Sequence, residues 1–166
     1  LLTWAARHGQ AEAVRLLLEG GASVGATTGG GGPVLYGGGH AWPACPPLYL
    51  ACENNHVKIA RLLLEAGAAI DQADEQGATP LFAACEDGHL EVAKLLSSYG
   101  ASRAATPSGT PEEVANRHGH ADLAAWLVAS RGWPPLAHLE SLTAARALAL
   151  LRSGASLHEG EPTPLQ

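Results

Sequence analysis

The chain has 166 residues, 46% hydrophobic and 16% charged, and ten basic against sixteen acidic residues leave a net charge of −6. That length and apolar share support one globular domain with a real core and exclude a disordered chain. The negative balance argues against a general binder of nucleic acid or acidic membrane, which needs clustered Lys and Arg, and no apolar run reaches the roughly 18 residues that cross a bilayer.

The first predicted elements lie in "LTWAARHGQAEAVRLLLEGGAS" (2–23), two short helices parted at Gly9 and closed at Gly21. A Gly-rich stretch follows over 25–45, with seven glycines between Gly29 and Gly39. Such a loop ahead of a helix can cradle phosphate through bare backbone N–H groups. The phosphate-binding motif also needs a Lys and a hydroxyl for Mg²⁺, yet the first Lys in the chain is Lys58. The stretch is read as slack, a lengthened flexible loop, with an error in the coding sequence as the other reading. Added loop length costs little, because closure entropy rises only with the logarithm of length. Val34, Leu35, Tyr36 and Trp42 could still grip a partner from it.

Next comes "PLYLACENNHVKIARLLLEAGAAID" (47–71), and "PLFAACEDGHLEVAKLLSSYGASRA" (80–104) repeats it position by position. Leu48 meets Leu81, Cys52 meets Cys85, His56 meets His89 and Gly67 meets Gly100, at a constant offset of 33. "EEVANRHGHADLAAWLVASRG" (112–132) carries the layout again. Each unit reads as a helix pair. Thr79 is a good N-cap and Pro80 suits the first helical position, where no N–H is missed. The first helix ends at Gly88, matched by Gly9, Gly119 and Asn55, residue types that best tolerate the left-handed conformation. Val92, Leu95 and Leu96 give the second helix an apolar stripe. Helices this short are unstable alone in water, so they must bury their faces on neighbouring units. That describes a solenoid.

"GATPLFAACEDGHLEVAKLLSSYGA" (77–101) resembles the ankyrin repeat, whose period is 33 residues. The resemblance implies an all-α fold, an ankyrin-repeat solenoid of stacked antiparallel helix pairs with projecting β-hairpin-like fingers. It spans 1–166 as a single domain, with repeats near 1–24, 46–70, 77–103 and 108–130 and the Gly-rich insertion 25–45 in the first finger. A degenerate fifth repeat is expected over 133–157, and "TPLQ" (163–166) looks like the start of another. The family's T-P-L-H histidine is replaced by Thr3, Tyr49, Phe82, Glu113 and Ala137, so the usual Thr–His hydrogen bond should be absent. Glu112 stands in a Leu slot and should lose apolar burial. The chain opens without Met and neither end shows a polar capping repeat, which reads as a fragment of a longer protein.

Candidate chemistry is sparse. His56, His89 and His120 recur in one slot and are read as bracing the turn between helices. His118 and His120 form an H-x-H pair without the further ligands that zinc requires. Cys52 and Cys85 sit one repeat apart, too far for a disulfide, and are read as small core residues, with Tyr49 and Phe82 also assigned to packing. Cys45 lies in the insertion, and the absence of C-x-x-C suits a reducing, intracellular setting, cytoplasmic or nuclear. Ser97 has no partners at triad-like spacing. No catalytic residue, cofactor or metal site is expected, and the chain is read as no enzyme.

What the resemblance implies is protein–protein recognition on the concave face. The family's variable contact positions carry over to Arg7, His8, Glu53, Asn54, Glu86, Asp87, Arg117 and His118 before the turn residues, and to Glu75 and Gln76 at a finger tip. The row is acidic in its middle. Acids near a helix C-terminus oppose the helix dipole, so local stability does not account for Glu53, Glu86 and Asp87. The expected partner is a protein with a basic central segment, and no nucleic acid, membrane or small-molecule substrate is expected. A scaffold or adaptor module is the leading reading. The alternatives are a regulatory or substrate-recruiting segment of a larger enzyme, channel or ubiquitin-ligase subunit, and a spacer without a partner.

Overall fold

A computed structural model describes residues 1–27, 45–134, 137–138 and 143–153. The seven glycines from Gly29 to Gly39, the four apolar residues Val34, Leu35, Tyr36 and Trp42, and the "TPLQ" segment lie outside the described residues. The first four units fold as helix pairs: α1 (Leu2–Arg7) with α2 (Ala11–Glu19), α3 (Pro47–Glu53) with α4 (Val57–Glu65), α5 (Pro80–Glu86) with α6 (Leu90–Ser98), and α7 (Pro111–Arg117) with α8 (Ala121–Ala129). A ninth helix, α9 (Ala144–Arg152), follows. Among the described residues there is no named strand, and no helix is long and apolar enough to cross a membrane.

The first helices pack in succession, α1 on α3, α3 on α5 and α5 on α7, while α2 packs on α4 and α4 on α6. Leu48, Ile59, Leu63, Leu81, Leu95 and Leu96 are fully buried and belong to one cluster that runs through all four pairs. A smaller cluster joins Cys45, Tyr49, Leu50 and Ala83, with Ala78 of the finger packed against it. Phe82 lies in the main cluster, so both aromatic replacements of the signature His are buried. The thiols of Cys45, Cys52 and Cys85 are free and buried, and burial pushes Cys85 up to about 12.

The local chemistry of each joint follows from residue type. Pro47, Pro80 and Pro111 open the first helices of the later three pairs. Thr79 Oγ1 accepts from Phe82 N, and Thr110 with Glu113 forms a reciprocal capping box, which satisfies N–H groups that have no partner inside the helix. Gly9, Asn55, Gly88 and Gly119 all have positive φ between the two helices of a pair. The fingers end in tight turns. Asp74 Oδ1 accepts from Gln76 N at 2.9 Å and Ala78 N at 2.8 Å, and Thr106 and Gly109 form an isolated antiparallel bridge. Asp71 Oδ1 accepts from Ser102 N at 2.9 Å, tying one finger to the next.

The repeating histidines make a longer connection than a brace within their own turn. His56 Nε2 reaches Arg7 O at 3.0 Å, His89 Nε2 reaches Glu53 O at 2.9 Å and His120 Nε2 reaches Glu86 O at 3.0 Å. A carbonyl only accepts, so Nε2 carries the proton in each ring. Every ring thereby caps the last residue of the preceding pair's first helix. The bond within the turn is made by the histidine's own backbone N–H, as from His89 N to Ala84 O at 2.8 Å.

Glu112 is buried in its Leu slot, and Arg131 Nη2 donates to its Oε1 at 3.0 Å. Burial raises its pKa, but its own backbone N–H and the Arg131 guanidinium outweigh that and hold it below the usual 4.5. A carboxyl depressed on folding contributes stability above its unfolded pKa and loses it as pH falls through the folded value. The Arg131 side chain stays 69% exposed, so removing Glu112 does not leave its ion-pair partner buried. Glu112→Leu is expected to stabilise the protein by about 1 kcal/mol. Its advantage in thermal unfolding over the wild type should widen as pH falls below about 4.5; an advantage that shrinks in acid would contradict the pairing.

The described residues of the segment expected as a degenerate fifth repeat touch Tyr99 and Trp126. The Arg146 guanidinium of α9 lies 4.7 Å from the ring centre of Tyr99, the residue that ends α6. His138 lies between Trp126 and Trp133, with ring centres 5.7 and 5.6 Å away. These contacts lie at the C-terminal ends of α6 and α8. The segment has no Gly-His joint of the kind that places His56, His89 and His120.

Candidate functional site

The stacking of α1, α3, α5 and α7 decides which side chains can act together. Arg7, Glu53, Glu86 and Arg117 are the last residues of those four helices, and His8, Asn54, Asp87 and His118 follow as their C-caps. Equivalent positions on successive helices therefore form a row of four pairs. His8, Asn54, Asp87, Arg117 and His118 are exposed, while Arg7, Glu53 and Glu86 are half-buried. Glu75 and Gln76 are exposed on the turn between Asp74 and Gly77.

Electrostatics along the row are uneven. Glu53, Glu86 and Asp87 put carboxylates at the C-terminal ends of α3 and α5, where the helix dipole disfavours negative charge by some tenths of a kcal/mol. Their field reaches the interior: burial first, then Asp74, Glu53, Cys45 and Glu86, raise the pKa of Tyr49 strongly. At the downstream end, His118 Nε2 lies 3.9 Å from Glu86 Oε1, an ion pair only when the imidazole is protonated. Arg117 donates from Nη1 to Ser108 O at 3.1 Å, which draws it toward its own finger. At the upstream end Trp4 is 59% exposed and packs on the His8 ring at 4.6 Å. Trp4 was not singled out from sequence, although an aromatic in the slot of Leu50, Ala83 and Val114 is its signal.

Among the described residues, no three His, Cys, Asp or Glu side chains are gathered as a metal would require. Ser97 lies at the end of α6 with Arg103 Nη2 donating to its Oγ at 3.0 Å.

Residues 2–106 and 48–135 match the family model of ankyrin repeats (3 copies). The chain belongs to the ankyrin-repeat family. No curated protein matches it significantly. Ankyrin repeats are in general protein–protein interaction modules and typically not enzymes. The ankyrin arrangement also accounts for the row: one such pair per repeat, at the end of the first helix of each.

Proposed function

We propose that this ankyrin-repeat domain is a scaffold or adaptor module that binds another protein along its concave face. The footprint is Arg7, His8, Glu53, Asn54, Glu75, Gln76, Glu86, Asp87, Arg117 and His118, and the partner segment carries Lys or Arg at its centre. The observation that carries this reading is the set of three carboxylates at the ends of α3 and α5. They oppose the dipoles of their own helices, so folding alone does not favour them. A cationic partner would convert that local cost into attraction and faster association. The reading carries an intracellular setting, cytoplasmic or nuclear, which the three free, buried thiols support.

The test uses a fluorescent peptide with a central run of Lys and Arg, titrated across a salt series. Glu53→Lys together with Glu86→Lys is expected to weaken binding at least about tenfold and flatten its salt dependence. Unchanged affinity and an unchanged salt slope would remove the footprint while leaving the fold intact.

A further inference from the structure

Away from that row, the contact between the third and fourth repeats breaks the pattern of the others. Three residues after the glycine that closes the second helix stand Val24, Ile70 and Arg103. Val24 and Ile70 pack against the main core, whereas the third occupant is a cation. Three residues before the same glycine stand Leu18, Leu64 and Ser97. Two apolar slots have become polar at a single joint. Natural sequences break such rules most often where a site is built.

Arg103 is half-buried, and its hydrogen-bond partners are all neutral. Its Nη1 donates to Leu127 O at 2.8 Å, and its Nη2 donates to Ser97 Oγ and Ser130 Oγ, both at 3.0 Å. The guanidinium lies 5.4 Å from the Trp126 ring centre. Among the described residues no carboxylate stands within ion-pair distance of it; Glu112 is held by Arg131. Burial disfavours the Arg103 charge and the field of the Glu112 carboxylate offsets part of that, yet a guanidinium stays protonated. The carbonyl at the end of α8 compensates part of that charge, and it takes one of five N–H groups. Arg103 Nε, the second N–H of Nη1 and the Ser97 hydroxyl proton reach no described acceptor.

These groups line a cleft of about 180 Å³ together with Ser130, Trp133 and His138. Burial, and then the charge of Arg103, lower the pKa of His138, which leaves it neutral at neutral pH. Among the described residues a metal cation finds no anionic ligand in the lining of the cleft, and a drug-sized molecule needs at least about 300 Å³. We propose that this cleft is a receptor for a small oxyanion, a phosphate or carboxylate group, seated on Arg103 and the Ser97 hydroxyl at the joint of the third and fourth repeats. A bound anion would neutralise the guanidinium through charge-assisted hydrogen bonds, the strong class of such bonds. The site is independent of the concave-face reading, since it lies at the ends of the second helices.

The test is an amide and indole NMR titration of the whole chain with inorganic phosphate, against chloride at matched ionic strength and pH. A parallel arm uses acetate, which separates a phosphate source from a carboxylate such as a partner's acidic side chain. Saturable shifts at Gly100, Ala101, Gly132 and the Trp133 indole are expected with at least one of the two. Arg103→Gln should raise the dissociation constant at least about tenfold. Arg15→Gln, which alters an exposed cation on α2, should change nothing. Should Arg103→Gln fail to fold, Ser97→Ala keeps the cation, removes one donor and should weaken binding severalfold. Shifts that never saturate, that spread over exposed cations, or that persist undiminished in the variants would overturn the proposal.

Discussion

Leu81→Ala is expected to cost about 2–5 kcal/mol. Leu81 is fully buried in α5, which packs on α3 before it and α7 after it. The side chain is therefore shared by the middle of the stack. Its removal loses transfer free energy and leaves a cavity that short helices pinned on both sides cannot close. In a solenoid stability is roughly a sum of unit terms and nearest-neighbour interfaces. A defect in the middle weakens two interfaces, whereas Leu2→Ala in α1 touches one. Guanidinium unfolding should show Leu81→Ala as the more destabilised variant, with a less cooperative transition. Equal losses at both positions would contradict coupling through the stack.

The second large effect is expected at Gly88. Its φ of +74° lies in the left-handed region, and a Cβ there would collide with the His120 ring. Gly119 has φ of +84° with no described atom within 4 Å of its would-be Cβ, and the following segment carries no Gly-His joint. Val at either position bears the backbone strain of a β-branched residue at positive φ, about 1–3 kcal/mol. Only at Gly88 does the substitution also push the ring off Glu86 O, breaking the cap between repeats. Gly88→Val should therefore lower Tm by clearly more than Gly119→Val does. Gly88→Asn should be milder than Gly88→Val, since Asn55 holds φ of +57° in the equivalent slot while His89 still bonds Glu53 O. Matching Tm losses for Gly88→Val and Gly119→Val would mean the ring contributes nothing across the joint.

Much of the molecule is legible before any coordinates. The 33-residue spacing of Leu48 and Leu81, Cys52 and Cys85, and His56 and His89 already implies repeated pairs with common burial, because equal slots in a stack share one environment. The caps at Thr79 and Thr110 and the left-handed joints at Asn55 and Gly88 are local chemistry, decided by neighbours within a few residues. Glu112 illustrates the limit. Its misfit in a Leu slot is visible in the sequence, but the exposed cation that pairs with it, Arg131, stands 19 residues away. Which carbonyls the histidine rings reach was likewise not legible, as those acceptors lie 34 to 49 residues back.

The sequence by itself therefore determined the helix pairs, their caps, their period and which face of each must be buried. These depend on backbone preferences and apolar spacing over short stretches, and repetition multiplies the signal. Only the tertiary structure decided that Arg103, Ser97 and Ser130 meet, and that Arg146 lies on Tyr99. Each of those depends on how one repeat seats on the next, and that geometry comes from packing between segments far apart in the chain.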